Sequence, residues 1–243
     1  MEKAYKLLAE QEGISNKKAK ELIDRGLVYV GDQKVKIARA ELPEETRFRI
    51  EEPAEIRIIY QDDEVVAVDK PAFIDSYEIE EVIEGARLLH RLDRETSGVL
   101  LLARDEDFAR RAIEAFRRRQ VHKEYVAWVE GVVVEPMEID LPIHTIRKGK
   151  AFSRIDKKRG KPALTKVWPD EVQGKKSKVR VEIETGRTHQ IRVHLAHAGH
   201  PIVGDEQYGS PTRAKRPLLH AKKITLLGRS YEAPEPKDIR RYK

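Results

Sequence analysis

The chemistry-bearing residues of this chain concentrate in His90-Arg91-Leu92-Asp93-Arg94-Glu95-Thr96-Ser97-Gly98, set between Leu88-Leu89 and the apolar run Val99-Leu100-Leu101-Leu102. Polar side chains pinned between buried segments must be satisfied or used. Asp93 has Arg91 and Arg94 on either side in sequence, so it is expected to keep a low pKa and stay ionised. An ionised carboxylate suits a nucleophile or electrostatic stabiliser and suits a general acid poorly. The plainer reading of an isolated Asp here is a turn cap, with Thr96, Ser97 and Gly98 forming the bend.

Two further clusters follow. In Gly186-Arg187-Thr188-His189-Gln190-Ile191-Arg192, which comes after a predicted strand and opens a predicted helix, Arg192 could reach a carboxylate as a bidentate partner. His189, His194, His197 and His200 invite a metal, but they lack the i, i+4 histidine pair with adjacent Glu of a zinc hydrolase helix, and the chain has no Cys, so no metal is expected. In Lys123-Glu124-Tyr125-Val126-Ala127-Trp128-Val129-Glu130-Gly131, a strand puts Tyr125, Ala127 and Val129 on one face. Tyr125 is then either a core aromatic or a floor on which a base stacks. The words His-Arg and Asp also occur in protein kinase catalytic loops, but no glycine-rich phosphate loop, Asp-Phe-Gly or following Asn accompanies them here.

The elements that must hold these clusters can be read from composition and periodicity. The chain has 243 residues, no Cys, 37% charged and 40% hydrophobic residues, and 48 basic against 42 acidic side chains for a net charge of +6. That composition is globular, excludes disulfides and a cysteine nucleophile, and suggests one or two domains. No run approaches the ~18 apolar residues of a membrane helix, so no membrane association and a cytoplasmic location are expected. Residues 3–12 read as a helix, and Ser15 or Asn16 caps a second over 17–25 that Gly26 ends. Ala19, Leu22 and Ile23 form its apolar stripe, with Lys17, Lys18 and Lys20 mostly off it. Strands at 27–30 and 47–51, with a turn at Gly31 and Asp32, complete a small α+β domain over residues 1–52, which holds eleven basic and eleven acidic residues. Glu51, Glu52 and Pro53 read as a linker.

The domain expected over 53–243 opens on a hairpin, IRIIY and EVVAVDKP, followed by a strand at 99–103. Asp105 caps a helix to about residue 119 with Phe108, Ala112, Ile113 and Phe116 buried, and strands follow at 123–130 and 179–184. Strands outnumber helices and are joined by short turns, which predicts an α+β class with a mixed, largely antiparallel sheet. Between Arg147 and Lys161 stand eight basic residues and one acid, Asp156. Arg147, Lys148, Lys157, Lys158 and Arg159 are therefore candidates for binding phosphates, against the plainer reading of a solvated loop. Arg117, Arg118 and Arg119 close the helix, where its dipole alone would favour cations.

Taken in order, HRLDRETSG, KEYVAWVEG and GRTHQIRVHLAHAGHPIVGDEQYG resemble the three motifs of the RluA-type RNA pseudouridine synthases, and the likeness runs from about residue 56 to 236 through IIYQDDEVVAVDKPA and LLHAKKITL. Residues 1–52 resemble the S4 RNA-binding module, through the element order and KKAKELIDRGLVYV, which implies that the patch of Lys17, Lys18 and Lys20 on the second helix binds RNA. The resemblance implies isomerisation of uridine in RNA: the N1–C1′ bond breaks, the base turns, and C5 joins C1′. No atom is added, so no cofactor is implied. Asp93 corresponds to the catalytic aspartate, Tyr125 to the tyrosine under the target base, Arg192 to the arginine that pairs with the aspartate, and Arg91 to the arginine that holds the flipped-out arrangement. An S4-like module favours ribosomal over transfer RNA as the partner, and a monomer is expected. Phe73 departs from the family's usual Gly after Lys-Pro-Ala, and the stretch 74–89 is short. Two rival readings stand beside this one: a non-catalytic S4-type RNA-binding protein, and a nucleoside hydrolase, which would want a second carboxylate such as Glu95 across the bond.

Overall fold

The computed structural model of the chain describes residues 1–31, 33–51, 55–148 and 150–242. Its residues group into two compact units, Met1–Glu55 and Ile56–Lys243. Asp32 of the expected turn, and Glu52 and Pro53 of the expected linker, lie outside the described residues.

The first unit begins with β1 (Glu2–Lys3), α1 (Ala4–Glu12) and α2 (Asn16–Asp24), followed by β2 (Val28–Val30), β3 (Gln33–Lys34), β4 (Glu41–Leu42) and β5 (Arg49–Ile50). Strand β2 sits between β3 and β5, and β4 pairs with β1. Ser15 caps α2 by accepting from the Lys18 N–H at 3.2 Å, and Gly26 past its end takes φ +69°. Ala19 and Ile23 of α2 pack with Ala4, Leu8, Val28 and Phe48 in a small core, with Leu22 at its margin.

The second unit comprises β6 (Arg57–Gln61), β7 (Val65–Lys70), α3 (Ser76–Val82), β8 (Arg87–Leu88), β9 (Ser97–Ala103), α4 (Glu106–Arg117) and β10 (His122–Glu130). There follow β11 (Met137–Asp140), β12 (Ile143–Lys148), β13 (Lys150–Ile155), β14 (Leu164–Gln173), β15 (Lys176–Ile183), α5 (Gln190–His197), β16 (Leu219–Leu226), β17 (Arg229–Glu232) and α6 (Lys237–Arg240). Ten strands form one sheet in the order β11-β14-β15-β10-β16-β9-β7-β6, with β8 on β9 and β17 on β16. Strands β9 and β16 run parallel and the other described neighbours antiparallel, so the class is α+β with a mixed, largely antiparallel sheet.

Side-chain alternation gives the sheet two buried faces. Val66, Val68, Leu100, Leu102, Ala127 and Val129 share one core with Ile79 of α3 and Ile191 and Leu195 of α5. Val65, Ala67, Val99 and Leu101 share another with Phe108, Ala112 and Ala115 of α4. Covering on both faces explains why β9 is buried along its whole length. The α4 stripe differs from the expected one at a single step: Ala115 is buried and Ile113 is 45% exposed. The i, i+4, i+7 series 108, 112, 115 faces the sheet, and the bulk of Ile113 does not decide the matter.

Residues 147–161 are not simply a solvated loop. Strands β12 and β13 pair there as a hairpin separate from the main sheet, with Arg147 opposite Ala151. Two features fix the ends of strands around the His90–Gly98 segment. Lys70, wholly buried at the end of β7, donates from Nζ to the carbonyls of Pro71, Ile74 and Arg94 at 2.9, 2.8 and 3.2 Å. Gly98 takes φ +118° where β9 meets β16, and a Cβ there would collide with the backbone of Ala221. Gly98→Ala is therefore expected to lower stability by about 1–3 kcal/mol from backbone conformation alone, with the collision adding to it. A urea midpoint equal to wild type would contradict this placement of Gly98.

Candidate active site

The segment between α3 and β9 is fixed by its backbone. Leu89 N–H donates to Leu101 O at 3.0 Å, Leu92 N–H to Ser76 Oγ at 3.1 Å, Phe73 N–H to Arg94 O at 2.7 Å and Thr96 N–H to Asp93 O at 3.0 Å. The bend at 93–96 thus closes on the Asp93 carbonyl, and its carboxylate is left over. The turn-cap reading fails for that reason.

The Asp93 side chain is 22% exposed, and the nitrogens nearest to it stand beyond hydrogen-bond range: Arg192 Nη1 is 3.8 Å from Oδ2 and His189 Nε2 is 3.9 Å. Burial pushes its pKa up, while Arg192, Arg91 and Lys70 pull it down and Asp205 adds a smaller upward push. The expectation of a low pKa is corrected by this balance. Arg94 turns its guanidinium away to the Phe73 carbonyl (3.2 Å) and towards Asp75 (3.9 Å), and Arg91 is exposed. Of the two flanking cations only Arg94 faces away, so adjacency in sequence does not by itself decide which cation acts on the carboxylate.

Arg192 is also placed differently from the expectation of a fork on Asp93. It is 4% exposed, and its fork holds Asp205, which is 1% exposed, with Nε to Oδ2 at 2.6 Å and Nη2 to Oδ1 at 2.8 Å. Nη2 also donates to Gln207 Oε1 at 3.3 Å. Nη1 is what remains to face Asp93. Asp205 keeps the guanidinium charged by raising its pKa against desolvation.

Tyr125 lies one step along β10 from an irregularity, where the pairing with β16 jumps from Lys223 to Ala221. Such a break re-aims side chains. Tyr125 is 9% exposed, and burial together with the Asp93 carboxylate pushes its phenol pKa up. A cavity of about 240 Å³ gathers Arg91, Asp93, Tyr125, Arg147, His189 and Arg192. That is below the ~300–1,000 Å³ of pockets for whole ligands and suits one base with part of its sugar.

Sequence reading missed four residues around this cavity. His189, at φ +55° where α5 begins, pairs through Nδ1 with Tyr208 Oη at 2.9 Å. Tyr208 Oη accepts from the Ser153 N–H at 2.9 Å, and its ring stacks on Phe152 at 5.4 Å. The His189–Tyr208 bond fixes the orientation of the imidazole and turns its other nitrogen, Nε2, towards Asp93. Lys70, lowered to about 7 by burial, is the fourth after Asp205, His189 and Tyr208. Asp205 and Tyr208 lay in GDEQYG, where only the need of a buried Arg for a carboxylate would have singled out the former.

The remaining candidates are elsewhere. Lys157, Lys158 and Arg159 are exposed in the turn after β13, where Asp156 Oδ1 accepts the backbone N–H groups of Lys158 and Arg159 at 3.0 Å each. The side chain of Lys148 lies outside the described residues. In the first unit Lys17 is exposed, Lys18 pairs with Glu21 at 3.0 Å, and Lys20 Nζ stands 4.2 Å from the centre of the Tyr5 ring.

Comparison with known proteins bears on the cavity as a whole. The family model of RNA pseudouridylate synthases matches residues 64–197, which include Asp93, Tyr125 and Arg192. An uncharacterized RNA pseudouridine synthase of Helicobacter pylori (strain J99) is 52% identical, over 98% of this chain and 99% of its own. Ribosomal large subunit pseudouridine synthase D of Haemophilus ducreyi is 32% identical over 78% of this chain and 62% of its own length, and tRNA pseudouridine synthase C of the same organism is 34% identical over 69% and 84%. Among solved structures, human RNA pseudouridylate synthase domain containing 1 superposes with a TM-score of 0.65 at 29% identity, over 77% of this chain and 87% of that one. With the cavity-forming segment matched by the family model and nearly the full length matched at 52% identity, the chain belongs to the RNA pseudouridine synthase family, of the RluA type that its three motifs resemble.

Proposed function

We propose that Asp93, Tyr125 and Arg192 carry the isomerisation, and that the uridines concerned lie in ribosomal RNA. The observation that carries this reading is the free Asp93 carboxylate: it faces a base-sized cavity beside Tyr125 with no hydrogen bond of its own among the described residues. A flipped uridine in that space presents its ribose to Asp93, which acts by attack at C1′ or by removal of the C2′ proton. The N1–C1′ bond breaks as the uracil leaves, and the uracil turns on the Tyr125 face. C5 then bonds to C1′, displacing the Asp93 carboxylate on the first route or with return of the C2′ proton from Asp93 on the second, after which the C5 proton passes to water. A phenol held above its ordinary range is a poor base at neutral pH, so Tyr125 serves as platform and not as the acceptor of that proton.

Nη1 of Arg192 favours the charged Asp93 without occupying it. The hydrolase reading loses support, because Glu95 is turned towards Arg192 Nη2 at 4.0 Å and does not line the cavity. Arg147, on the hairpin and at the cavity mouth, is the basic-run residue best placed for a phosphate beside the target. Ribosomal RNA is supported by the relative named for the large subunit and by the S4-like order of the first unit, which we read as an RNA-binding module. Pseudouridine mapping in RNA from a strain lacking the gene should show losses in ribosomal RNA, and losses confined to transfer RNA would overturn the target while leaving the chemistry.

Three outcomes test the residue roles. Asp93→Asn should abolish tritium release from RNA labelled at uridine C5 while RNA binding persists; robust release would refute the assignment. The wild-type rate should fall as pH falls through a midpoint above the ordinary ~3.9 of Asp, because burial raises the group that must be ionised, and Arg192→Ala should move that midpoint further up. Asp205→Asn should cost about 3–5 kcal/mol of stability by leaving the buried Arg192 charge uncompensated, read from denaturant midpoints. For the basic run, Gln at Arg147, Lys157, Lys158 and Arg159 should weaken binding and flatten its salt dependence. An unchanged salt slope would return those residues to a merely solvated surface.

A further inference from the structure

We propose that a second cavity, on the other side of Tyr125, is a subsite for a nucleotide adjacent to the target uridine, taking its phosphate on Lys123 and Arg119 and its base on Phe116. The inference rests on the reading of this enzyme as acting on RNA. This cavity, of about 480 Å³, is twice the size of the first and shares with it Arg91, Tyr125, Ile183, Gly186 and Arg187. It reaches the size of pockets that enclose a whole ligand.

Its charge is unbalanced in a way that the fold does not require. Lys123 is 8% exposed, and Nζ donates to the Thr185 carbonyl at 3.3 Å and lies 5.8 Å from the centre of the Phe116 ring. No carboxylate among the described residues pairs with it, and burial together with Arg187 lowers its pKa to about 8. A buried ammonium without an anion costs stability unless a ligand supplies one. The Arg triplet at the end of α4 separates into two roles. Arg117 and Arg118 turn back to Glu114 at 3.9 and 2.6 Å, which fits a helix end, and Arg117 also borders the cavity. Arg119 instead adopts φ +57°, and its side chain makes no hydrogen bond or ion pair among the described residues; the same is true of Arg91. The carboxylate on the rim, Glu184, faces Lys166 at 3.7 Å.

The rest of the wall argues for a nucleotide over a bare anion. Leu89, Phe116 and Ile183 supply an apolar surface against which a base can lie. His90, held near 3 by burial, stays neutral and accepts the Leu101 N–H at 3.1 Å, so it adds no charge. Arg91 borders both cavities, which places a cation where the backbone between two neighbouring nucleotides must pass.

Two measurements on the full-length chain test this. Isothermal titration with the dinucleotide pUpU should show binding weakened about tenfold by Arg119→Gln, with Lys123→Met as a second variant and circular dichroism checking that each folds. Inorganic phosphate should bind at least tenfold more weakly than pUpU and be displaced by it. In steady-state tritium release, Arg119→Gln should raise KM for RNA with kcat unchanged. Equal pUpU affinity in wild type and Arg119→Gln overturns the subsite, and phosphate binding as tightly as pUpU overturns the nucleotide in favour of a free anion. Absence of tritium release by the wild type would count against the proposed catalytic roles, and the titration would still decide the subsite.

Discussion

The buried pair of Arg192 and Asp205 is the constraint on which the site depends. Taking two charges out of water costs several kcal/mol per ion, and the cost is offset only by close, well-aligned hydrogen bonds. Both terms are visible here: two bonds at 2.6 and 2.8 Å, and a third from the same guanidinium to Gln207. With its fork occupied, Arg192 cannot swing onto Asp93 and neutralise it. It offers one fixed N–H edge at 3.8 Å, close enough to favour the anion and too far to block it. Gly204 makes this possible from the chain side, since it takes φ +83° and a Cβ there would strike the Arg216 carbonyl. Arg216 repeats the device. Its fork holds Asp238 at 2.8 and 3.0 Å, and its third nitrogen reaches the carbonyls of Glu95 and Leu219, bracing the far end of the Asp93 segment.

The same framework ties the β12–β13 hairpin to the carboxylate. Ser153 donates its N–H to Tyr208 and its hydroxyl to Thr188 O at 2.7 Å, while Gln207 donates to Ala151 O at 3.0 Å. Tyr208 holds His189, and His189 faces Asp93. The hairpin that carries Arg147 therefore bears on segments that set the ring orientation of His189. The hairpin and the imidazole that faces the Asp93 carboxylate thus share one set of hydrogen bonds, so displacement of the hairpin would disturb both segments.

What could be read from the sequence follows from how local each signal is. The HRLDRETSG segment stands out because polar residues interrupt two apolar runs, and Tyr125 because β alternation fixes its face. Asp205 carries no such mark: its partner is thirteen positions away, and only the folded chain reveals that Arg192 needs it. Lys70 and Lys123 carry no mark of burial in the sequence, since Lys is almost never fully buried. The hairpin at residues 143–155 escaped because its charges mask an alternation that faces α5 and Tyr208 and not the main sheet. The α4 stripe shows the reverse error, where bulk at Ile113 outweighed the geometry that buries Ala115.

Phe73 shows how backbone geometry can outlast a change of residue. It stands at φ +72°, a region that costs a non-glycine residue about 1–3 kcal/mol and persists only where the surroundings impose it. Here they do. Its N–H is taken by Arg94 O at 2.7 Å, its carbonyl by Arg94 Nε at 3.2 Å, and the carbonyls on either side, at Pro71 and Ile74, by buried Lys70. The position where the RluA-type motif usually carries Gly thus keeps a glycine-like conformation. Because Lys70 also binds the Arg94 carbonyl, this loop and the segment after Asp93 are set by one ammonium. The side chain that the loop presents is Phe73, while its backbone is held by the same contacts that hold the segment after Asp93.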